Sequence, residues 1–521
     1  MLKYVSVAEM RAVEQEADRL GLSYAQMMEH AGTNLGKLVD AELGPQTNCS
    51  ALGLIGSGNN GGDTLVSLAY LAENGWKTVA YFVKERNVAD PLVQRLIANG
   101  GIVVSNLEDE DLQKLHVALN QSEVVLDGVL GTGFQLPLKE SIGKVLKSVK
   151  EIIRGKESPT YVVAVDCPSG VDCDSGQAAD EVIPADLTVT MAAIKGGLLK
   201  FPAYPLCGRI LIADIGLNES FPIWNQIKRY VIDADWVKTL LPKRSDNSHK
   251  GTFGTTFILA GCENFTGAAY LAGKAAYLAG CGLVTVGSVR SVYHSLAGEI
   301  PEATWLVLPD QEGYLSEKSL ADILNRFDTV DAFLFGPGFG LHSSTSTLVA
   351  QLLESGGDVL TRCVVDADGL KLLAQHKDWQ SKLPRHTILT PHPGEMSVLT
   401  GMSTKEIQSE RVQIAERFAS QWGHVVVLKG AFTVIADPDG CTAVNPIATS
   451  ALAKAGSGDV LAGLIAGLLA QGLGAFEAAV IGVWVHAQAG LMAAKRVKTT
   501  RCVLASDVIK AIPQVFDELE R

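Results

Sequence analysis

Short apolar runs of strand length alternate with helix-length segments along the first 220 residues. The runs carry no charge, which is typical of strands buried on both faces of a sheet. The predicted strands are Ala51–Ile55, Thr78–Val83, Val124–Leu126, Tyr161–Val165, Leu187–Thr190 and Ile210–Ala213. The predicted helices are Val7–Gly21 (with a capping-box pattern at Ser6 and Glu9), Ser23–Glu42, Thr64–Asn74, Pro91–Asn99 and Ile142–Arg154. This alternation predicts a mostly parallel sheet covered by helices.

A second alternation of the same kind begins after a poorly periodic stretch near residue 225. Its predicted strands are Thr255–Ala260, Leu283–Val286, Ala332–Phe335, Cys363–Asp366, Thr387–Leu389 and Val425–Lys429. Its predicted helices are Gly267–Ala279, Ser344–Ser355, Leu370–Ala374, Ser403–Trp422 and Asp459–Gln471, followed by Val508–Leu519, which Pro513 should break or kink. We therefore predict two α/β domains of αβα layering, at residues 1–225 and 226–521.

Composition narrows the classes of function. The 57 acidic and 44 basic residues give a net charge of −13, which argues against a nucleic-acid partner. The apolar stretches Val460–Phe476 and Ala478–Ala494 fall short of the roughly 20 residues of a membrane span, so we expect buried core helices and no membrane partner. The 9 cysteines form no C-x-x-C pair, and no apolar signal core is apparent, so we expect reduced thiols in a cytoplasmic protein.

A glycine-rich loop at Gly56–Asp63 directly follows a predicted strand. It satisfies G-x-G-x-x-G, a pattern in which backbone N–H groups close around a phosphate at a helix N-terminus. A tight strand–helix turn would give the same pattern. The amides of Asn59 and Asn60 and the carboxylate of Asp63 are not part of a dinucleotide fingerprint, so they indicate a polar ligand.

Two aspartates follow neighbouring apolar strands directly. Asp127 leads into the loop Gly131–Phe134, and Asp166 leads into Pro168–Gly170. Because the carboxyl ends of parallel strands face one crevice, we expect four oxygen-bearing side chains to converge: Asn60, Asp127, Asp166 and Ser169. Such oxygens suit a hard cation better than a transition metal, although either aspartate alone could be a loop cap.

The segments Asn59–Asp63, Asp127–Gly133 and Val165–Gly170 resemble the N-terminal, Rossmann-like domain of the bifunctional NAD(P)H-hydrate repair enzyme family, over about residues 1–220. In that family this domain epimerises hydrated NAD(P)H at C6. The resemblance implies a potassium ion held by Asn60, Asp127 and Ser169. It also implies a hydrate-binding set: Asn59, Asn60, Gly61, Gly62, Asp63, Gly131, Thr132, Gly133, Phe134, Gln135, Leu136, Pro137 and Asp166. Thr64 stands where the family usually has a glycine.

The reaction itself suggests a role for Asp166. C6 of the hydrate carries a hydroxyl and a ring nitrogen, so loss and return of the hydroxyl through an iminium-like species would invert the centre. That route needs a group that protonates the leaving oxygen and later takes the proton back. We hypothesise that Asp166 does this, with Lys195 as its charge partner.

A second glycine-rich loop, Lys454–Asp459, precedes the apolar helix of the second half. Glycines expose N–H groups and a helix start adds partial positive charge, so an anion is expected here. Beside a phosphate, Asp459 would act as a general base toward an attacking hydroxyl, whereas an isolated first-turn aspartate would be an ordinary helix-start acid. The chain contains no G-x-x-x-x-G-K-[ST] motif, which argues against a P-loop enzyme.

Five motifs occur in the order found in the ribokinase-like dehydratase domain of the same family: Gly336–Gly340, Asp366–Asp368, Pro391–Glu395, Lys429–Thr433 and Gly456–Asp459. The resemblance covers about residues 230–515. It implies ADP-dependent dehydration of the S hydrate, by phosphorylation of the C6 hydroxyl and loss of phosphate, with AMP released. Magnesium is expected at the transferring phosphate, although no carboxylate cage for it is apparent in the sequence.

The resemblance also implies two residue sets in this half. The nucleotide-binding set is Lys429, Gly430, Ala431, Phe432, Thr433 and Gly458. The hydrate-binding set is Ala268, Gly338, His392 and Asp459, with Asp459 catalytic. The expected partners are NADHX, NADPHX and ADP, and we also expect a homo-oligomer.

Three alternatives remain open. One is a ribokinase-like kinase of a vitamin-precursor alcohol fused to a Rossmann-like ligand-binding scaffold, which has no reason to carry Asn59–Asp63. A dehydrogenase should have an acidic residue about 20 positions after the glycine loop, and Glu85, between Lys84 and Arg86, fits poorly. A protein-binding scaffold would have little need for the four converging oxygen ligands.

Overall fold

The computed structural model describes residues 1–44, 48–355, 360 and 362–521. The chain divides into two compact units, residues 2–228 and 229–521. Each unit contains a mostly parallel sheet with helices, so the predicted architecture of two α/β domains is confirmed.

The sheet of residues 2–228 consists of parallel strands. The strands are β1 (Leu2–Val5), β2 (Ser50–Ile55), β3 (Lys77–Phe82), β4 (Ile102–Ser105), β5 (Val124–Gly128), β6 (Tyr161–Val165), β7 (Leu187–Met191), β8 (Ile194–Lys195) and β9 (Arg209–Ala213). Seven of them pair in the order β4-β3-β2-β5-β6-β7-β9. β1 and β8 pair with each other in parallel, and Val5 lies opposite Lys195 in this pair. This pairing fixes the backbone position of Lys195.

The helices of this unit are α1 (Val7–Arg19), α2 (Tyr24–Leu43), α3 (Asn59–Glu73), α4 (Pro91–Ala98), α5 (Gln113–Gln121), α6 (Glu140–Gly155), α7 (Tyr204–Cys207) and α8 (Pro222–Gln226). The capping box at Ser6 and Glu9 is present. The prediction for α3 was wrong by one turn, since the helix begins at Asn59 rather than Thr64. Gly58 is its extended N-cap, so the segment predicted as a loop forms the first helical turn.

Close backbone contacts explain two glycines of this turn. A Cβ atom on Gly61 would lie 2.1 Å from the Gly56 carbonyl oxygen, and one on Gly56 would lie 2.0 Å from the Val129 carbonyl oxygen. Real Cβ atoms do not approach this closely, so any side chain would force the backbones apart. The glycines therefore bring the first turn of α3 against the segment that follows β5.

The second unit contains a longer mixed sheet. Its strands are β10 (Arg229–Val231), β11 (Thr255–Leu259), β12 (Leu283–Val289), β13 (Thr304–Leu308), β14 (Asp310–Gln311), β15 (Tyr314–Leu315), β16 (Ala332–Phe335), β17 (Cys363–Val365), β18 (Ile388–Leu389), β19 (Val425–Leu428), β20 (Val434–Ala436) and β21 (Thr442–Val444). The order is β13-β12-β11-β16-β17-β18-β19-β20-β21-β10, parallel as far as β19. β19, β20 and β21 are antiparallel, and β14 and β15 form a hairpin.

The helices of this unit are α9 (Ala234–Leu240), α10 (Thr266–Leu278), α11 (Arg290–Leu296), α12 (Leu320–Leu324), α13 (Ser343–Glu354), α14 (Asp368–Leu373), α15 (Trp379–Lys382), α16 (Pro393–Thr400), α17 (Thr404–Ser409), α18 (Arg411–Trp422), α19 (Ser457–Ala470), α20 (Ala475–Val497) and α21 (Ala505–Glu520). The single helix predicted at Ser403–Trp422 was wrong, because Glu410 leaves helical geometry (φ −131°, ψ 44°) and separates α17 from α18. α21 continues through Pro513 instead of breaking there.

The apolar helix α19 lies in the core. A Cβ atom on Gly463 would lie 2.2 Å from the Ala272 carbonyl oxygen, so α19 and α10 pack backbone to backbone. α20 is the one helix of the described residues that is long and apolar enough to cross a membrane, and 67% of its apolar window is buried in the protein. Such burial is that of a core helix.

Candidate functional site

A cavity of about 1270 Å³ lies at the carboxyl end of the first sheet. Most of the predicted hydrate-binding residues line it, namely Asn59, Asn60, Asp63, Gly131, Thr132, Gly133, Phe134, Gln135, Leu136, Pro137 and Asp166. Gly61 and Gly62 are not among the lining residues. Gly61 packs on Gly56, and a Cβ atom on Gly62 would lie 2.6 Å from the Met28 sulfur. These two glycines therefore lie behind the cavity wall, where they allow its segments to pack closely.

Asp166 follows β6 in the left-handed region (φ 66°) and is buried. Its Oδ1 atom accepts hydrogen bonds from the Lys195 Nζ (2.5 Å), the Thr190 hydroxyl (3.0 Å) and the Met191 backbone N–H (3.0 Å). The Lys195 ammonium is only 1% exposed and also donates to the Met191 carbonyl (2.7 Å). Three donors on one oxygen fix the carboxylate and orient it at the cavity wall.

Two more carboxyl groups line the cavity beside this pair. Burial, followed by the charges of Asp166 and Glu14, raises the pKa of Asp63 well above its usual range. Burial also raises the pKa of Glu14, a residue of α1, and Lys195 and Arg11 partly offset that effect. Burial and the neighbouring negative charges thus both favour the protonated form of Asp63.

The predicted cation ligands also come together. Asp127 is fully buried and accepts hydrogen bonds from the Ser169 hydroxyl (2.6 Å) and backbone N–H (2.8 Å). The Asn60 amide lies 2.6 Å from the Val165 carbonyl and 3.3 Å from the Leu130 carbonyl. Burial raises the pKa of Asp127, with the Ser169 hydrogen bonds opposing the shift.

This arrangement fits a monovalent cation. Within the described part of the chain no lysine or arginine pairs with Asp127, so the carboxylate is buried without a positive partner. An unpaired buried charge is costly, and a cation among carboxylate, hydroxyl, amide and carbonyl oxygens would remove that cost. Asn60, Asp127 and Ser169 could hold such an ion.

In the second unit Asp459 lies in the first turn of α19, which begins after left-handed Gly456 (φ 87°) and has no side-chain cap. Burial, followed by the negative charge of Asp366, raises the pKa of Asp459 to about 7, and Lys429 opposes the shift. A carboxyl that titrates near neutrality suits a general base. It lies at a helix start, where backbone N–H groups attract anions.

Lys429, at the end of β19, faces a group of carboxylates. Its Nζ donates to the Asp366 Oδ1 (2.6 Å) and lies 3.7 Å from Glu395. Asp366 follows β17, and its Oδ1 also accepts from the Thr390 hydroxyl (2.7 Å). Burial lowers the pKa of Lys429, but the charges of Asp366 and Glu395 raise it by more, so the lysine stays charged.

The charges of three carboxylates, Asp366, Glu395 and Asp459, raise the pKa of Lys429. Carboxylate oxygens are donors of the kind that magnesium uses together with substrate phosphates. Asp366 and Glu395 could therefore hold a divalent cation together with those phosphates.

Two of the residues predicted to bind the hydrate, Ala268 and Gly338, lie in contact with each other. A Cβ atom on Gly338 (φ 64°) would lie 2.8 Å from the Ala268 Cβ, so these two residues touch. The same loop is tied to α14 by the Gly340 N–H, which donates to Asp368 (3.0 Å). His392 is the N-cap of α16, and burial, then Lys429 and Lys371, lowers its pKa.

The predicted nucleotide residues border a smaller cavity of about 190 Å³. Lys429, Gly430, Ala431, Thr433 and Gly458 line it. Phe432 does not, since it is buried with left-handed backbone (φ 55°). A Cβ atom on Gly458 would lie 3.3 Å from the Lys429 Nζ, so the loop and the helix start meet at this cavity.

Sequence reasoning missed several residues of these sites. Glu14 is half-buried on the face of α1 that carries Val7 and Met10, seven and four positions earlier, and a charge at that spacing was the available signal. Asp366 directly follows an apolar strand, as Asp127 and Asp166 do. No sequence pattern pointed to His486 or Asn445. They reach the cavity only through the packing of a helix and the position of a short strand.

Comparison with known proteins gives the following similarities. A family model described as NAD(P)H-hydrate dehydratase matches residues 256–514, and one described as YjeF-related protein N-terminus matches residues 24–197. A Moorella thermoacetica protein named bifunctional NAD(P)H-hydrate repair enzyme Nnr is 36% identical over 95% of this chain and 92% of its own length. The protein of the same name from Escherichia coli is 30% identical over 97% and 92%.

Among solved structures, an ADP/ATP-dependent NAD(P)H-hydrate dehydratase from Bacillus subtilis, co-crystallised with ATP and Mg²⁺, is 31% identical. It covers 56% of this chain and 98% of its own, with a TM-score of 0.48.

Proposed function

This chain belongs to the family of bifunctional NAD(P)H-hydrate repair enzymes, and we propose that its two units divide the repair of hydrated NADH and NADPH between them. Residues 1–225 epimerise the R and S hydrates at C6. Residues 226–521 dehydrate the S hydrate with ADP, yielding the dihydronicotinamide, AMP and phosphate.

For epimerisation, the hydrate binds in the 1270 Å³ cavity with C6 beside Asp166. Asp166 protonates the departing hydroxyl and takes the proton back when water returns to the other face of the iminium-like species. Lys195 fixes the position of the Asp166 carboxyl group and balances the negative charge that Asp166 carries once it has given up its proton. Asp63, which lines the same cavity, hydrogen-bonds to the hydrate.

A potassium ion occupies the oxygen cage of Asn60, Asp127 and Ser169. The buried, unpaired Asp127 carboxylate supports this assignment. The ion would stabilise the loops that carry Gly131–Pro137 and Asp166, since its ligands lie in the segments that begin those loops. Its contribution is structural and electrostatic.

For dehydration, Asp459 removes the proton from the C6 hydroxyl, and the resulting alkoxide attacks the terminal phosphoryl group of ADP. AMP leaves the phosphoryl group, and the hydroxyl becomes a phosphate ester, a far better leaving group. Departure of phosphate from C6 with loss of a proton from the neighbouring C5 then restores the ring double bond. Lys429 and the N-terminal turn of α19 bind the phosphates. Asp366, Glu395 and the nucleotide phosphates would hold magnesium, which would supply positive charge to neutralise the transferring phosphoryl group.

One observation carries this proposal. Asp459 lies at an uncapped helix start within electrostatic reach of Lys429, in a setting that raises its pKa to about 7. A carboxylate in a phosphate site is unfavourable unless it has a chemical task, and proton removal from an alcohol is that task.

The test is incubation of the purified full-length protein with a mixture of R and S hydrates. We expect the epimers to interconvert without ADP, and the whole mixture to return to the reduced dinucleotide when ADP and Mg²⁺ are added. A kinase fused to a scaffold would leave both epimers unchanged under either condition. If only the S hydrate were converted to the reduced dinucleotide, the proposed epimerase activity would be contradicted.

A further inference from the structure

Two residues that line the 190 Å³ cavity, Asn445 and His486, each carry a buried polar atom without a hydrogen-bond partner. The atoms are Oδ1 of Asn445 and Nε2 of His486, and neither has a partner among the described residues. Asn445 is 3% exposed and His486 is 7% exposed. Buried polar groups are normally paired, so two orphans at one cavity indicate a ligand that completes them.

The imidazole of His486 presents an acceptor. Its ring donates a hydrogen bond to the Ser457 backbone, yet burial still lowers the pKa of His486 to about 4. The ring is therefore neutral near pH 7 and carries one proton, which the bond to Ser457 uses. The remaining nitrogen, Nε2, then holds a lone pair and requires a donor from the ligand.

The rest of the cavity suits a flat ring. Apolar side chains of Ile447, Leu461 and Val483 line its walls, and the nucleotide loop that begins at Lys429 closes one side. A heterocyclic base could lie between apolar walls while its polar edge meets the two orphan atoms. The Lys429 ammonium would then receive the phosphates of the same molecule.

We propose that His486 and Asn445 recognise the base of the nucleotide. His486 selects adenine by accepting a hydrogen bond from the 6-amino group of the base. A 6-oxo base would direct a carbonyl oxygen at the Nε2 lone pair, which is repulsive. Asn445 has both an amide oxygen and an amide N–H₂, so it can serve either base. This inference rests on the proposed nucleotide site and adds its base specificity.

The experiment compares ADP with inosine diphosphate, which replaces the 6-amino group by an oxo group, in dehydration of the S hydrate. For the wild-type protein we expect kcat/KM with ADP to exceed that with inosine diphosphate by about tenfold or more, since one lost or repelled hydrogen bond has that effect. In His486→Leu we expect this ratio to fall toward one. In Asn445→Leu we expect KM to rise for both nucleotides with little change in the ratio.

Two further variants separate recognition from folding. His376 also has a buried, unpartnered Nε2 but does not line the cavity, so His376→Leu should keep the wild-type ratio. His486→Gln can still present an acceptor, so it should keep part of the preference.

Each remaining outcome is decisive. Equal use of the two nucleotides by the wild-type protein, or a full ADP preference in folded His486→Leu, would overturn the inference while leaving the proposed dehydration intact. Failure of every nucleoside diphosphate to support recovery would instead contradict the proposed function itself.

Discussion

The Lys429 ammonium lies 2.6 Å from the Asp366 carboxylate, beside the first turn of the helix that carries Asp459. The lysine is shared, because Glu395 also lies within 3.7 Å of it. One positive charge thus faces several carboxylates, and Asp459 is left with a pKa raised to about 7. With this pKa, Asp459 is available as a base near neutral pH. A bound cation would neutralise the remaining negative charge of these carboxylates.

The pH dependence of dehydration should report this pKa. As a base Asp459 must be unprotonated, so kcat/KM should rise about tenfold per pH unit below pH 7 and level off above it. The charge of Asp368 raises the pKa of Asp459, so Asp368→Asn should move the inflection to lower pH. Exposed Asp322→Asn is the control and should not move it. A pH-independent rate between pH 5 and 9 would exclude Asp459 as the base.

Asp166→Asn should slow interconversion of the hydrate epimers by about 10²- to 10⁴-fold, the usual contribution of a positioned acid–base group. ADP-dependent dehydration of purified S hydrate should stay at the wild-type rate, because its residues belong to the other unit. Chromatographic separation of the epimers over time measures the first rate. Wild-type epimerisation in the folded variant would remove Asp166 from the mechanism.

Lys195→Met should destabilise residues 2–228. The side chains of Lys195 and Asp166 are 2% and 9% exposed, and loss of one partner leaves a buried charge unpaired. Such losses lower the free energy of unfolding by about 3–5 kcal/mol. Lys200→Met is the matched control, since Lys200 donates only to an exposed carbonyl, at Asp174. Urea unfolding with equal midpoints for the two variants would contradict a structural role of the Lys195–Asp166 pair.

Epimerisation should depend on potassium. With tetramethylammonium keeping the ionic strength constant, added KCl should increase the wild-type rate to saturation, because the ion completes the cage around Asp127. Asp127→Asn and Ser169→Ala should lose most of this response. Dehydration of S hydrate in the same samples serves as the internal control. Full wild-type epimerisation without potassium or sodium would show that the cage needs no ion.

Much of the fold could be predicted from the sequence because charge-free runs such as Tyr161–Val165 have few alternatives to a buried strand. The antiparallel strands Val434–Ala436 and Thr442–Val444 were not predicted, because a run of three residues is too short to show a hydrophobic periodicity. The break at Glu410 was also hidden, because the apolar pattern continues across it.

The residues of the candidate sites were predictable where they lie together in one short loop. Asp127, Asp166 and Asp459 each stand at a strand end or a helix start, so local sequence identifies them. The environment of Lys429 was not predictable, because Asp366 and Glu395 reach it from other strands and helices, 63 positions away in the case of Asp366. Local sequence patterns indicate which side chains are candidates for catalysis or binding. Tertiary packing decides which of those side chains come together in one site.

The central claim is tested most directly by Asp459→Ala in the full-length protein. Recovery of the reduced-nicotinamide absorbance band should be followed after S hydrate, ADP and Mg²⁺ are mixed. We predict a rate lower by at least about 10²- to 10⁴-fold, with hydrate binding and epimerisation retained. Undiminished recovery in the folded variant would contradict the account, because no alcohol would then need Asp459 to lose its proton.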